Sequence, residues 1–205
     1  MTRGRLFALT VVWLSGIFVV AAMTTRWFFF DYFHVPSDSM YPTVPGSSFI
    51  IVDRRGFGNI GPFRLLKREP TATVSRGDII VFLLSDSSTA FVKRVIGLPG
   101  DHVVLQGRQL AVNGTLIPVV AGARTGMYQH ATETVAGRPI TIAWLPERPS
   151  RDFDGVVPAG HYFVLGDSRD NAQDSRFEKV GFVPKQRIIG RVVRVITPSR
   201  FGPES

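Results

Sequence analysis

The chain has 205 residues, of which 44% are hydrophobic, enough for one medium-sized domain or one domain with an insertion. It contains no cysteine, which excludes disulfides, zinc-thiolate sites and a cysteine nucleophile. The net charge is +8, but the basic residues are scattered, and no basic run is interleaved with aromatics. We therefore expect no nucleic-acid partner, and anionic membrane lipids suffice to explain the charge.

The N-terminal segment is the compositional outlier. Residues 6–23 carry no charge, and at about 1.5 Å per residue they come close to spanning a bilayer core of roughly 30 Å. Thr24 and Thr25 extend the run, which predicts a transmembrane anchor over residues 6–25. Arg3 and Arg5 precede it without a nearby acid, so residues 1–5 are expected in the cytoplasm and the rest of the chain outside.

A cleaved secretory signal is the alternative interpretation of this segment, since it also combines a basic start with an apolar middle. The apolar run is long for a signal, however, and the aromatic-rich residues 27–33 follow it in place of a small-x-small cleavage site. We favour a single, uncleaved span.

Short β-branched runs dominate the remainder of the chain. They are separated by Gly, Pro, Asp and Asn, as is typical of strands joined by turns. The runs are residues 49–52, 79–82, 91–96, 103–105, 109–112, 162–165 and 188–196. Asn113-Gly114 predicts a hairpin turn. The pattern indicates a mainly β protein, with an antiparallel sheet domain of barrel or sandwich type.

Two stretches interrupt this pattern. Residues 54–76 are looser and predict a long surface loop or hairpin. Residues 114–158 hold several Pro and Gly residues and indicate an inserted small β subdomain. The main β domain would then consist of residues 26–113 and 159–205.

The common hydrolase and nucleotide motifs are absent from the sequence. There is no Gly-x-Ser-x-Gly, HExxH, P-loop or GxGxxG, and the four histidines are isolated, so no metal or other cofactor is expected. His34 lies five residues before Ser39, which is a weak basis for a Ser-His-Asp triad. A serine can also be activated by a neutral lysine.

Lys93 is the lysine best suited to that role. It lies in the apolar run 91–96, where burial could lower its pKa from about 10.4 by several units. Lys67 and Lys179 stand next to charged residues and Lys185 follows a proline, which indicates that all three side chains are exposed to solvent. Strand alternation alone leaves open whether Lys93 points inward or outward.

Four blocks of sequence, in this order, resemble those of bacterial type I signal peptidases. They are residues 36–43 (PSDSMYPT), 76–82 (RGDIIVF), 91–101 (FVKRVIGLPGD) and 166–176 (GDSRDNAQDSR). With the preceding apolar segment, the resemblance extends from residue 1 to about residue 197. It implies a serine endopeptidase with a Ser-Lys dyad that needs no cofactor and removes signal peptides at Ala-x-Ala sites.

The resemblance also implies roles for individual residues. Ser39 would be the nucleophile and Lys93 the general base. The Ser37 hydroxyl and the Ser39 N–H would form the oxyanion hole. Asp174 and Arg176 would form a supporting ion pair, although a polar turn that only orders the fold is the preferred interpretation of Asp167, Asp170 and Asp174. The substrate pockets would be lined by Phe33, Val35, Met40, Phe91 and Val92.

One position departs from the family pattern. Many members carry a serine that contacts the lysine amine where this chain has Ala172, and neither Ser168 nor Ser175 obviously replaces it. Losing one hydrogen bond typically costs about 0.5–1.5 kcal/mol, which could slow the enzyme without abolishing its activity.

The expected location is the outer surface of the bacterial cytoplasmic membrane. The expected partners are signal-peptide-bearing preproteins, anionic lipids and the secretion machinery. Two alternatives stay open at this point: a dedicated Ser-Lys processing peptidase of a conjugation or pilin system, and a catalytically silent, membrane-tethered interaction domain.

Overall fold

A computed structural model describes residues 10–21, 29–60, 66–67, 69–84 and 89–197. Residues 10–21 form a helix, α1, with exposed apolar side chains such as Trp13 and Phe18. The predicted anchor over residues 6–25 lies partly outside these ranges. Within them, the structure has no helix of the length and apolar character that crossing a membrane requires.

Sixteen strands lie within the described ranges, and each of the seven predicted runs coincides with one of them. The strands are β1 (Phe30–Val35), β2 (Ser48–Asp53), β3 (Asn59–Ile60), β4 (Leu66–Lys67), β5 (Ile79–Leu83), β6 (Ala90–Gly97), β7 (His102–Gln106), β8 (Gln109–Val112), β9 (Thr115–Leu116), β10 (Val119–Thr125), β11 (Tyr128–Val135), β12 (Arg138–Trp144), β13 (Phe153–Val156), β14 (His161–Leu165), β15 (Val183–Pro184) and β16 (Ile188–Ile196). A short 3-10 turn, Lys185–Arg187, joins the last two. The prediction of a mainly β, antiparallel protein is confirmed.

The largest sheet has seven strands in the order β1-β2-β16-β5-β6-β14-β15, and its pairings are antiparallel. Its central strands are buried on both faces, which explains their almost continuous apolar sequence. Ile80 and Phe82 pack into one core cluster with Val95, whereas Val81 packs into another with Val92. Alternate residues of one strand thus supply two cores.

Two smaller sheets stand beside it. One has the order β10-β11-β12 and the other β13-β7-β8-β9. They share a third core, which includes Leu105, Leu110, Ile142 and Phe163. The predicted hairpin is confirmed: Asn113 and Gly114 both have positive φ, at 52° and 75°, as a tight two-residue hairpin turn requires.

The two irregular stretches contain more pairing than their sequences show. Strands β3 and β4 pair within residues 54–76, as a hairpin there would require. Residues 114–158 hold β9 to β13, and β13 pairs with β7, which lies before that range. The division into a main domain and an insertion over 114–158 stays a prediction.

Candidate active site

Ser39 lies in a turn that begins where β1 ends. The turn is held on both sides of the serine: the Tyr41 N–H donates to the Asp38 carbonyl at 3.0 Å, and the Val44 N–H donates to the Met40 carbonyl at 2.8 Å. The Asp38 carboxylate accepts the Gly46 N–H at 2.7 Å. These backbone contacts fix the direction in which the Ser39 hydroxyl points.

Lys93 reaches this turn from β6, where it pairs with Ile80 of β5. Its Nζ lies 2.8 Å from the Ser39 Oγ and 2.8 Å from the Val92 carbonyl oxygen. The residue is only 3% exposed. Of the two orientations that strand alternation allowed, the structure shows the inward one.

Burial lowers the pKa of Lys93 from its ordinary 10.5 to about 8. The cause is desolvation of the ammonium group, and the nearby Asp174 and Asp167 carboxylates oppose it by favouring the charged form. A substantial fraction of this lysine is therefore neutral slightly above neutral pH, as a general base must be.

Ser37 lies two residues before Ser39, and its Oγ is 3.3 Å from the Ser39 Oγ. The two hydroxyls thus face the same small volume. A hydroxyl at this distance can reach an oxygen of a carbonyl group that Ser39 attacks.

A groove of about 400 Å³ runs past these three side chains. Its apolar walls come from β1 and β6, and they include four of the five residues that the resemblance assigned to pockets: Phe33, Val35, Phe91 and Val92. The fifth, Met40, differs from the expectation: its side chain is completely buried in the core beneath the turn and does not line the groove.

The groove also has lining residues that the sequence did not single out. Ala90 contributes to the same wall as Phe91, and Asn171 and Gln173 line the groove from the loop over residues 166–176. An alanine carries no functional group that a sequence pattern could point to. The two amides lie in a block in which only charged residues were assigned roles.

The 166–176 loop packs directly against the turn that carries Ser39. A Cβ on Gly166 would lie 2.5 Å from the Ser39 carbonyl oxygen, so only glycine allows this approach. The Gly166 N–H donates to the Asp174 carboxylate at 3.0 Å. Asp174 in turn pairs with Arg176 at 2.8 Å, so the structure contains the expected ion pair.

The other two carboxylates of the loop are also paired with arginines. Asp167 accepts two hydrogen bonds from Arg94, the residue after the lysine, at 2.8 and 2.5 Å. Asp170 pairs with Arg108 at 3.0 Å. These pairs order the loop, and Asp167 also acts electrostatically on Lys93. The sequence signal for Arg94 was its charge inside an apolar strand.

Ala172 is buried at 6% exposure in this loop. Neither neighbouring serine is hydrogen-bonded to Lys93: the Ser175 Oγ accepts the Val164 N–H at 2.9 Å, and the Ser168 hydroxyl is buried without a hydrogen-bond partner among the described residues. In the same described part, no three His, Asp or Glu side chains are grouped to hold a metal ion.

Comparison with known proteins places the chain in a family. The family model described as "Signal peptidase, peptidase S26" matches residues 8–197. The chain therefore belongs to the signal peptidases of family S26, and it is a serine peptidase that hydrolyses peptide bonds.

Several relatives support this assignment. The chain is 34% identical to signal peptidase I of Pseudomonas aeruginosa, over 87% of this chain and 68% of that protein. It is 35% identical to signal peptidase I of Leptolyngbya laminosa, over 91% and 79%. It is 33% identical to signal peptidase I U of Bacillus subtilis, over 92% of this chain and 88% of that protein.

A solved structure of signal peptidase I from Enterococcus faecalis V583 also matches. Its TM-score is 0.41 at 26% identity, and it covers 58% of this chain and 97% of that one.

Proposed function

We propose that this protein removes signal peptides from exported preproteins with a Ser39–Lys93 dyad. The observation that carries the proposal is the 2.8 Å contact between a buried lysine amine and the Ser39 hydroxyl. The lowered pKa of Lys93 supports it, because a base with a pKa of about 8 can accept a proton near neutral pH.

The reaction begins when neutral Lys93 takes the proton of Ser39 as its Oγ attacks the scissile carbonyl. The developing oxyanion accepts hydrogen bonds from the Ser37 hydroxyl and the Ser39 N–H, and each donor of this kind is worth about 3–4 kcal/mol. Protonated Lys93 then gives its proton to the leaving amine. An acyl-enzyme remains, and water activated by the same lysine hydrolyses it.

The shape of the groove supports a preference for Ala-x-Ala sites. Its walls of Phe33, Val35, Phe91 and Val92 leave shallow apolar room beside the nucleophile. Small side chains fit such pockets, whereas larger ones clash with walls that belong to β1 and β6, two strands of the same sheet.

The N-terminal segment supports a site of action at the membrane. The uncharged residues 6–23 after two arginines support a single anchor, with residues 1–5 in the cytoplasm and the catalytic domain on the outer side of the bacterial cytoplasmic membrane. A signal peptide emerges at the same surface. The partners proposed there are preproteins, anionic lipids and the secretion machinery.

Cleavage of a preprotein in detergent or liposomes tests the proposal. We expect wild type and the control Lys179→Ala to release the mature chain, and Ser39→Ala and Lys93→Ala to leave the preprotein intact. If Lys93→Ala retained near-normal turnover, the dyad would be wrong. If wild type cleaved none of several preproteins with Ala-x-Ala sites, the substrate class would be wrong.

A further inference from the structure

The three-stranded sheet β10-β11-β12 touches the turn that carries Ser39, here called the nucleophile turn, through the 166–176 loop. Ala143, on β12, donates its N–H to the Asp167 carbonyl at 2.9 Å and accepts the Arg169 N–H at 2.8 Å. Between these two residues, the Ser168 N–H donates to the Ser39 carbonyl at 3.3 Å. One short segment thus connects the end of β12 to the catalytic serine.

A buried ion pair fixes the same segment to β11. The two terminal guanidinium nitrogens of Arg169, Nη1 and Nη2, both donate to the Glu133 carboxylate, Nη1 at 2.6 Å. Glu133 is fully buried and Arg169 is 4% exposed. Two-point pairing of this kind fixes orientation as well as distance. Removing one partner would leave an uncompensated buried charge.

The pair continues into the hydrogen bonds around the dyad. The Arg169 carbonyl accepts a hydrogen bond from Arg176, which pairs with Asp174. Asp174 holds the N–H of Gly166, and Gly166 packs against the Ser39 carbonyl. Asp174 is also one of the two carboxylates that act on Lys93.

A second contact joins β11 to the nucleophile turn from another direction. The ring of Tyr41 lies 4.8 Å from that of Tyr128 and 5.6 Å from that of His130, measured between ring centroids. The strand that carries Glu133 therefore meets the turn directly as well as through the loop.

We propose that Glu133, acting through Arg169, is a positioning residue that holds the 166–176 loop against Ser39 and thereby sets the Ser39–Lys93 geometry. This assigns a task to the region whose sequence indicated only an insertion. The inference rests on the proposed function, because it supposes that Ser39 and Lys93 react.

The test compares Glu133→Gln with Leu110→Ala. Leu110 is fully buried in the core that β11 shares, but it belongs to β8 and not to the loop contacts, so its truncation weakens the same core. Both are assayed on a peptide substrate well below their unfolding temperatures. We expect kcat of Glu133→Gln to fall on the order of 10- to 100-fold with KM within about twofold, because misplacement of reacting groups lowers turnover. Leu110→Ala should keep its kcat.

A measurement that does not depend on cleavage accompanies the assay. In protein labelled at lysine ¹³Cε, the Lys93 resonance should move in Glu133→Gln and stay in place in Leu110→Ala. If wild type cleaves nothing but this pattern holds, the proposed function fails and the positioning role stands. An unmoved Lys93 resonance together with wild-type kcat in Glu133→Gln would overturn the inference.

The double variant Glu133→Leu/Arg169→Met covers the case in which Glu133→Gln does not fold. Apolar replacement of both partners removes the buried charges and usually preserves the fold. We expect its kcat to stay low, because the two-point contact is gone. Wild-type kcat in this variant would show that the pair serves only the stability of the sheet and would contradict the proposal.

Discussion

Lys93 separates two unlike regions of the active site. On one side lies the apolar wall of the groove, where the ring centroid of Phe91 is 5.6 Å from the lysine Nζ. On the other lies the 166–176 loop, whose buried residues include the carboxylates of Asp167 and Asp174. The apolar side removes water from the amine, whereas the charged side favours its protonation.

The difference between these regions shows how burial can lower the pKa of a lysine toward the range of a general base while nearby carboxylates limit the fall. Desolvation outweighs the two carboxylates, so that the pKa falls, but only to about 8. Both carboxylates are themselves occupied by Arg94 and Arg176, which limits their pull on the lysine. Each region can be altered separately, and the expected effects differ.

Replacement of Lys93 by methionine removes the amine on which the apolar and the charged regions both act. Lys93→Met should lower kcat/KM about 100- to 10,000-fold, the usual contribution of a general base. It should also raise the free energy of unfolding at pH 7, because lowering a lysine pKa from 10.5 to about 8 costs on the order of 3 kcal/mol.

The sign of that gain depends on pH. Below pH 8 both the folded and the unfolded wild-type protein carry the lysine proton, so the full cost of burying the charge is present. Between about pH 8 and 10.5 only the unfolded state binds the proton, and wild type gains stability as the pH rises. The difference between Lys93→Met and wild type in denaturant melts should therefore shrink over this window. A difference independent of pH would contradict the assigned pKa.

Filling the apolar region should affect substrate binding and leave the base intact. Ala90→Leu adds three carbon atoms to the groove wall, and we expect kcat/KM for an Ala-x-Ala peptide to fall about 10- to 100-fold. The pH midpoint of the remaining activity should not move. Val120→Leu, on an edge strand where Val120 is 68% exposed, is the control and should behave as wild type. An equal loss of kcat/KM in the two variants would contradict a role for the groove wall in substrate binding.

Neutralising the charged region should move the pH profile. In Asp174→Asn/Arg176→Met a carboxylate that raises the pKa of Lys93 is lost, so the midpoint of kcat/KM should shift below that of wild type. Asp170→Asn/Arg108→Met removes another aspartate–arginine pair of the same loop that does not act on the lysine. That control should keep the wild-type midpoint, and a shift of the same size in both would contradict the assignment to Asp174.

The smallest expected effect concerns the position where this chain departs from the family pattern. Ala172→Ser would supply a hydroxyl near the lysine, and one hydrogen bond of about 0.5–1.5 kcal/mol corresponds to a rate increase of about 2- to 10-fold. Steady-state turnover of a peptide substrate measures it. An unchanged or lower rate would contradict a role for this position in holding Lys93.

Much of the fold could be predicted because its strands are buried and regular. The run 91–96 has apolar residues on both faces, and Asn113-Gly114 suits the positive φ of its turn. The sheet β10-β11-β12 was harder to predict, since β10 is exposed along its whole length and has no alternation to read. One sequence pattern points to Glu133: it alternates with two threonines, in step with Ala131 and Val135, and all three of these residues are buried in β11.

The sequence could identify the residues of the site but not their arrangement in space. Serine and lysine were recognisable from their blocks, 54 residues apart, but their contact depends on how β6 pairs with β5 and β14. The placement of Met40 shows the limit of such reasoning, because one residue beyond Ser39 the side chain is buried in the core. The proposed role of Arg169 depends on its contact with Glu133 of β11, which lies 36 residues away, so no local sequence pattern reveals it.

The dyad itself is tested most directly by the pH dependence of kcat/KM for a peptide substrate, measured with wild type and Lys93→Ala. The account predicts that wild-type activity rises with pH to a plateau, with a midpoint near 8, and that Lys93→Ala has only a small residual rate without this transition. A wild-type midpoint near 6.5, typical of histidine, or the same transition in Lys93→Ala, would contradict Lys93 as the general base.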